Sequence, residues 1–104
     1  MNDTPEIAIV IPVFNEEGNV LPLADELVAA MQTLGRSYEI LFVDDTSTDS
    51  TWEKIREAHQ QHGVVNGLRH ERNAGQSAAL WTGILATTSP IVVTLDGDRQ
   101  NDPA

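Results

Sequence analysis

Four apolar runs divide this chain, and stretches of helical periodicity lie between them. Ile7-Ala8-Ile9-Val10-Ile11 is continuous and rich in β-branched residues, the pattern of a strand buried on both faces. Ile40-Leu41-Phe42-Val43 is a second such run and Ile91-Val92-Val93-Thr94-Leu95 is the last. Val64-Val65 with Leu68 forms a weaker one between them, interrupted by Asn66-Gly67.

After the first run, Val20, Leu23, Ala24, Leu27, Val28, Met31 and Leu34 recur at steps of three and four. That spacing places them on one stripe of a helix, and Gly35 is a natural stop. Ser50-Thr51-Trp52-Glu53 has the spacing of a capping box, so a second helix is expected from about Ser50, with Trp52, Ile55 and His59 inward. A third is expected over roughly Gln76 to Thr87, with Ala79, Leu80, Gly83 and Ile84 inward and Pro90 at its far boundary. The order β-α-β-α-β-α-β predicts an α/β fold with a Rossmann-like parallel sheet and right-handed crossovers. Ligands of such sheets sit beyond the carboxyl ends of the strands, so that edge is where chemistry is expected.

With 104 residues, the chain fits one compact domain. Sixteen acidic residues against six basic ones give a net charge of −10, the wrong sign for gripping nucleic acid or an anionic membrane. Cysteine is absent, which excludes a disulfide framework and a thiolate metal site and suits a reducing cytosol. The polar, acidic start from Met1 to Glu6 is unlike a secretory leader. No apolar run approaches the length of a bilayer span. A cytoplasmic location is the expectation, on the cytoplasmic face of the membrane if a longer protein is membrane-bound. The abrupt close at Asn101-Asp102-Pro103-Ala104 suggests a domain truncated at its C-terminus.

The strand ends carry the charge. The first run leads into Pro12-Val13-Phe14-Asn15-Glu16-Glu17, and the second into Asp44-Asp45-Thr46-Ser47-Thr48-Asp49. The third leads to Arg72-Asn73-Ala74-Gly75 and the fourth to Asp96-Gly97-Asp98-Arg99-Gln100. Crowded carboxylates repel one another unless a cation offsets them. Asp96 and Asp98 flank a glycine, and on an extended backbone both lean to one side. That is a cradle for a hard dication, Mg²⁺ or Mn²⁺, whose open positions accept phosphate oxygens.

Each piece also has a plainer reading. Asp44-Asp45 suits a solvated turn at a helix N-terminus, Asp96-Gly97-Asp98 an ordinary loop, and Asn15 a helix cap. Arg72 would neutralise a diphosphate or pair with a surface acid. Asn73 and Gly75 read as turn-formers and His70 as a strand residue. Trp52 and Trp81 read as core. His59 and His62 lack the further ligand that a metal site needs.

Taken in order, Ile9-Val10-Ile11-Pro12-Val13-Phe14-Asn15-Glu16, Val43-Asp44-Asp45-Thr46-Ser47-Thr48-Asp49, Arg72-Asn73-Ala74-Gly75 and Leu95-Asp96-Gly97-Asp98 resemble the landmarks of family-2 glycosyltransferases. The similarity is to the branch of dolichyl-phosphate mannosyltransferase and bacterial polyprenyl-phosphate glycosyltransferases, where a Gln and then Pro follow the Asp-x-Asp, as Gln100 and Pro103 do here. The resemblance implies a GT-A fold and a donor-binding part spanning residues 1–104. It implies metal-dependent, inverting transfer of a sugar from a UDP- or GDP-linked donor to an acceptor such as a polyprenyl phosphate. Pro12, Phe14, Asn15, Glu16, Asp44 and Asp45 would then bind the nucleotide. Asp96, Asp98 and Arg72 would meet the diphosphate and sugar, and Asp96, Asp98 and Gln100 the metal. A catalytic base would lie beyond residue 104. Thr46 and Ser50 stand where the family commonly has glycine, and Arg99 replaces a residue that is usually apolar.

Other readings compete. In a phosphorylation-receiver domain the acidic pair follows the first strand, not the second, and a lysine is needed near the end, whereas Lys54 is the only lysine. A phosphatase of the haloacid-dehalogenase type opens on its Asp-x-Asp and continues with Gly-Thr. A donor-binding fragment without activity is the remaining alternative.

Overall fold

The computed structural model describes residues 4–96, and its elements follow the expected order. They are β1 (Ile7–Val13), α1 (Val20–Gln32), β2 (Tyr38–Asp44), α2 (Thr51–Gln61), β3 (Val65–Arg69), α3 (Gln76–Ala86) and β4 (Ile91–Thr94). The four strands make one parallel sheet in the order β3-β2-β1-β4. β1 and β2 are its centre. Every residue of β1 is buried, as its unbroken apolar run predicts.

Alternation along β1 divides the core between the two faces of the sheet. Ile7, Ile9, Ile11 and Val13 pack with Ile40, Phe42 and Val65 against Val20, Ala24 and Val28 of α1 and Ile55 and Ala58 of α2. Val10, Leu41 and Val43 face the other way, onto Ala79 of α3. The chain moves outward from β1 to β3 under α1 and α2, then returns across the opposite face through α3 to place β4 on the far side of β1. The reversal leaves a switch point between the carboxyl ends of β1 and β4.

Pro12 sharpens that point. Leu95 N–H donates to the Val10 carbonyl at 3.0 Å, so Val10 turns its backbone polar groups toward β4. Pro12, two residues on, faces the same way and has no N–H to continue the ladder. The two strands stop pairing where the cleft opens.

Several expectations are corrected. β4 is no doubly buried strand: Ile91, Val92 and Val93 are 37–42% exposed. It lies at the sheet edge, and among the described residues no helix covers it. Leu34 falls beyond the end of α1 and is exposed. Trp81 is not core but 61% exposed, on the outer side of α3. His59 is exposed, although its Nδ1 lies 2.6 Å from the Val65 carbonyl oxygen. The capping box at Ser50 does not form. The Ser50 N–H that Glu53 would accept is taken by Glu17 Oε1 at 2.9 Å, and Asp49 Oδ1 accepts from Thr51 N–H at 2.9 Å instead.

The interruption in the third run has a packing reason. A Cβ on Gly67 would lie 2.5 Å from Ile55 Cγ2 and 3.1 Å from the Trp52 ring, so the bare backbone lets α2 close on β3. Trp52 is half-buried there, with the Arg69 guanidinium 5.9 Å from its ring centroid.

Candidate functional site

A cleft of about 180 Å³ opens at the switch point. Pro12 and Val13 line it from the end of β1, Phe14 and Glu16 from the loop after it, Asp45 and Asp96 from just past β2 and β4, and Gln76 and Ala79 from α3. Residues from each central strand end thus meet here, where the topology places a ligand. Phe14 is exposed at the mouth.

The acidic pair after β2 is not a solvated turn. Asp44 is 0% and Asp45 3% exposed. Asp44 Oδ1 accepts from both the N–H and the hydroxyl of Ser47, and its Oδ2 lies 3.5 Å from Arg69 Nε. Asp44 therefore closes its own turn and does not line the cleft. Asp45 reaches the other way. Its Oδ1 accepts from Ala74 N–H at 2.8 Å and lies 2.8 Å from His70 Nδ1, and its Oδ2 accepts from Gly75 N–H at 2.8 Å. Burial alone would raise the Asp45 pKa. The donors at Ala74, His70 and Gly75, with the His70 charge, outweigh it and hold the carboxyl below the ordinary value of 3.8.

Asn15 likewise joins loops. Its side-chain oxygen accepts from Thr48 N–H at 2.8 Å, and its own N–H donates to Ser47 Oγ at 2.8 Å. Glu16 N–H donates to Thr51 Oγ1 at 2.8 Å, and Glu17 N–H to Asp49 Oδ2 at 3.4 Å. The loops after β1 and β2 are zipped together, which sets Phe14 and the Glu16 side chain at the cleft. Asn15 caps no helix; Asn19 stands at that position of α1. Asp49, which sequence reasoning passed over, is part of this zip. Burial opposes its ionisation, yet bonds from Thr51 and Glu17 hold its pKa below 3.8.

Thr46 takes a left-handed backbone, φ 64°, at a position where the resemblance leads one to expect glycine. Its hydroxyl donates to the His70 carbonyl at 3.0 Å, which helps to hold a conformation that a β-branched residue resists. Thr46→Ala keeps the strained backbone and loses the bond, whereas Thr46→Gly loses the bond and relieves the strain. The glycine variant should therefore be the more stable of the two by roughly 0.5–1 kcal/mol in urea denaturation.

Arg72 is exposed, does not line the cleft, and makes no ion pair among the described residues. Asn73 is the turn-former expected, its amide donating to the Asp45 carbonyl at 3.0 Å. Asp98 and Gln100 lie outside the described residues. Glu16, Asp45 and Asp96 give the cleft three carboxylates and no cationic residue. A counter-cation would offset these charges beside an anionic ligand, and hard oxygen donors suit Mg²⁺ or Mn²⁺. Asp45, with both oxygens bonded to donors inside the fold, is not available for that. Among the described residues no group of three metal-binding side chains comes together.

A parallel α/β sheet with an acid-lined cleft at its switch point defines a Rossmann-like class of fold. Residues 8–104 match the model of Glycosyl transferase family 2, and the chain belongs to that family. It is 39% identical over 99 residues to a dodecaprenyl-phosphate galacturonate synthase of Rhizobium johnstonii, covering 94% of this chain and 29% of that protein. It is 40% identical over 98 residues to an undecaprenyl-phosphate 4-deoxy-4-formamido-L-arabinose transferase of Edwardsiella ictaluri, covering 93% and 30%. The chain thus spans under a third of the length of these relatives. Among solved structures it is similar to a mannosyltransferase from Pyrobaculum calidifontis in complex with GDP-Man and Mn²⁺, with a TM-score of 0.70 and 26% identity over 91% of this chain and 28% of that one. It is also similar to glucosyl-3-phosphoglycerate synthase from Mycobacterium tuberculosis in complex with Mn²⁺, UDP and phosphoglyceric acid, with a TM-score of 0.73 and 26% identity over 90% and 33%. These neighbours agree with the GT-A type of fold.

Proposed function

We propose that residues 1–104 form the donor-binding part of a glycosyltransferase that moves a sugar from a nucleoside-diphosphate sugar to a polyprenyl phosphate. The observation that carries this reading is the acid-lined cleft at the switch point between β1 and β4, with Asp96 on its rim. The names of the relatives support the acceptor class, and neighbours crystallised with Mn²⁺ and GDP-Man or UDP support the donor class.

Phe14 and Pro12 give the cleft apolar surface for a nucleoside, and Glu16 and Asp45 give it polar edges. Asn15 and Asp44 serve binding by fixing the loops that carry these residues. A dication held by Asp96, with Asp98 and Gln100, would offset the charge of the diphosphate and of the departing nucleoside diphosphate. Arg72 would reach the diphosphate from the loop before α3. Attack from the face opposite the leaving group inverts the anomeric carbon. A phosphate acceptor is already ionised at neutral pH and needs no strong base. No helix among the described residues is long and apolar enough to cross a membrane. A polyprenyl-phosphate acceptor lies in the membrane, so the whole enzyme would work at its cytoplasmic face.

Calorimetry with UDP and GDP, with and without Mn²⁺, tests the reading. One nucleotide should bind in the presence of Mn²⁺, and Asp96→Ala should weaken it about tenfold or more. Binding that ignores both Mn²⁺ and Asp96→Ala would overturn it.

A further inference from the structure

His70 is the residue on which the inner wall of the cleft hangs. The sequence suggests a strand residue, but β3 ends at Arg69, and His70 begins the loop toward α3. All four of its polar atoms are engaged. Its N–H donates to the Asp44 carbonyl at 2.9 Å, and its own carbonyl accepts from Thr46 Oγ1 at 3.0 Å. Ring Nδ1 lies 2.8 Å from Asp45 Oδ1, and ring Nε2 lies 2.7 Å from Thr82 Oγ1 on α3. One side chain thus ties the end of β2 to the middle of the helix that crosses the sheet. Its side chain is 15% exposed, so water competes weakly for these bonds.

The ring does not line the cleft, whereas Asp45 and Gln76 do. His70 acts on that wall through Asp45, whose carboxylate also holds the Ala74 and Gly75 amides at the start of α3. A carboxylate fixed by three donors is pinned; with the imidazole removed, the Ala74 and Gly75 amides alone hold it, one on each oxygen, and its tie to the middle of α3 is lost. The Thr82 hydroxyl adds a second anchor, because it also donates to the Ala78 carbonyl at 2.9 Å and is itself held. Nδ1 carries the proton that it donates to the Asp45 carboxylate; Nε2 then accepts the Thr82 hydroxyl proton, or, when it too is protonated, donates to Thr82 Oγ1 while that hydroxyl proton stays directed at the Ala78 carbonyl.

We infer that His70 is a positioning residue for the donor: by clamping Asp45 between Thr82 and the first turn of α3, it fixes the wall of the cleft against which the nucleotide rests. The clamp itself is a property of the free chain, while its effect on the donor rests on the function proposed above.

The test uses the full chain carrying His70→Ala, His70→Asn or Thr82→Val, each first shown to be folded by circular dichroism. Asparagine retains a donor near the place of Nδ1 and so keeps the hold on Asp45. In the free chain, amide hydrogen exchange at Ala74 and Gly75 should speed up about tenfold or more in His70→Ala. It should stay within about threefold of the parent in His70→Asn, and Thr82→Val should fall between the two. UDP or GDP affinity in the presence of Mn²⁺ should follow the same order, with His70→Ala about tenfold weaker. A uniform loss of stability would not produce rescue by asparagine confined to these two amides. Unchanged exchange in His70→Ala, or equal acceleration in the alanine and asparagine variants, would overturn the clamp. Altered exchange with unaltered affinity would overturn the positioning role. A parent chain that binds neither nucleotide would count against the proposed function while the exchange data still decide the clamp. Should His70→Ala not fold, Thr82→Val and His70→Asn carry the comparison, and equal exchange in both and in the parent would overturn the inference.

Discussion

Gly83→Val should lower the stability of the chain by about 3 kcal/mol, because α3 rests on the sheet through this residue. A Cβ built on Gly83 would lie 2.3 Å from Val10 Cγ1 and 3.0 Å from Val43 Cγ2. Both neighbours are fully buried, β-branched and on central strands, so neither can swing aside. The helix must lift instead, and with it the Ala79 contact and the Gln76 wall of the cleft. Helix propensity works the other way, since any side chain at an interior glycine gains up to about 1 kcal/mol; against a clash with two packed side chains it loses. Gly83→Ala should be milder by the same reasoning. Val10→Ala introduced beside Gly83→Ala should recover part of the loss, since it vacates the colliding atom. Urea denaturation of the two single variants and the double variant reads this directly. Strict additivity would show that α3 does not sit where the structure places it.

Asp45→Ala carries the second large effect, about 3 kcal/mol in the same measurement. It would strand the Ala74 and Gly75 amides and the His70 ring, all gathered around a carboxylate that is almost fully buried. Asp45→Asn should cost less at neutral pH, as one acceptor oxygen remains. The two effects separate with pH. Asp45 has a lowered pKa in the folded chain, so its stabilisation is present above the ordinary value of 3.8 and is lost as pH falls through the lowered folded value. Asp49 behaves in the same direction. The stability gap between the parent and Asp45→Asn should therefore be full at pH 5 and above and should shrink on acidification below about 3.8. Thermal melts of both proteins from pH 7 to pH 2 measure it. A gap that stays constant across this range would show that the charge of Asp45 contributes nothing to the fold.

The edge that carries the cleft was legible because its residues are adjacent in sequence to the strands that deliver them. Pro12, Phe14, Glu16, Asp45 and Asp96 follow apolar runs, and all five line one cleft. Asn15 and Asp44 follow the same runs yet stay out of it, and nothing local distinguishes them. Their partners decide: Asn15 meets Thr48 at a separation of 33 residues, and Asp44 turns back on Ser47 and Arg69. The zip between the loops after β1 and β2 had no signal in the sequence beyond a density of small hydroxyl and acidic residues. His70 had less still, since a lone histidine after an apolar run resembles the end of a strand.

By itself, the sequence determined what depends on neighbours along the chain. The four strands, the three helices and the polar character of the strand ends all follow from periodicity and turn residues, because burial of one face imposes a period of 2 or 3.6 on any segment. The tertiary structure alone decided what depends on which elements lie side by side. It put β4 at an edge with its apolar residues exposed, turned Trp81 outward, replaced the Ser50 capping box with Glu17 and Asp49, and set His70 against Asp45 and Thr82. The reason is that a hydrogen-bond donor carries no mark of its partner. Asp45 and His70 are 25 residues apart, and His70 and Thr82 are 12 apart. Only the order of strands in the sheet, with α3 returning over the face opposite α1 and α2, brings them together.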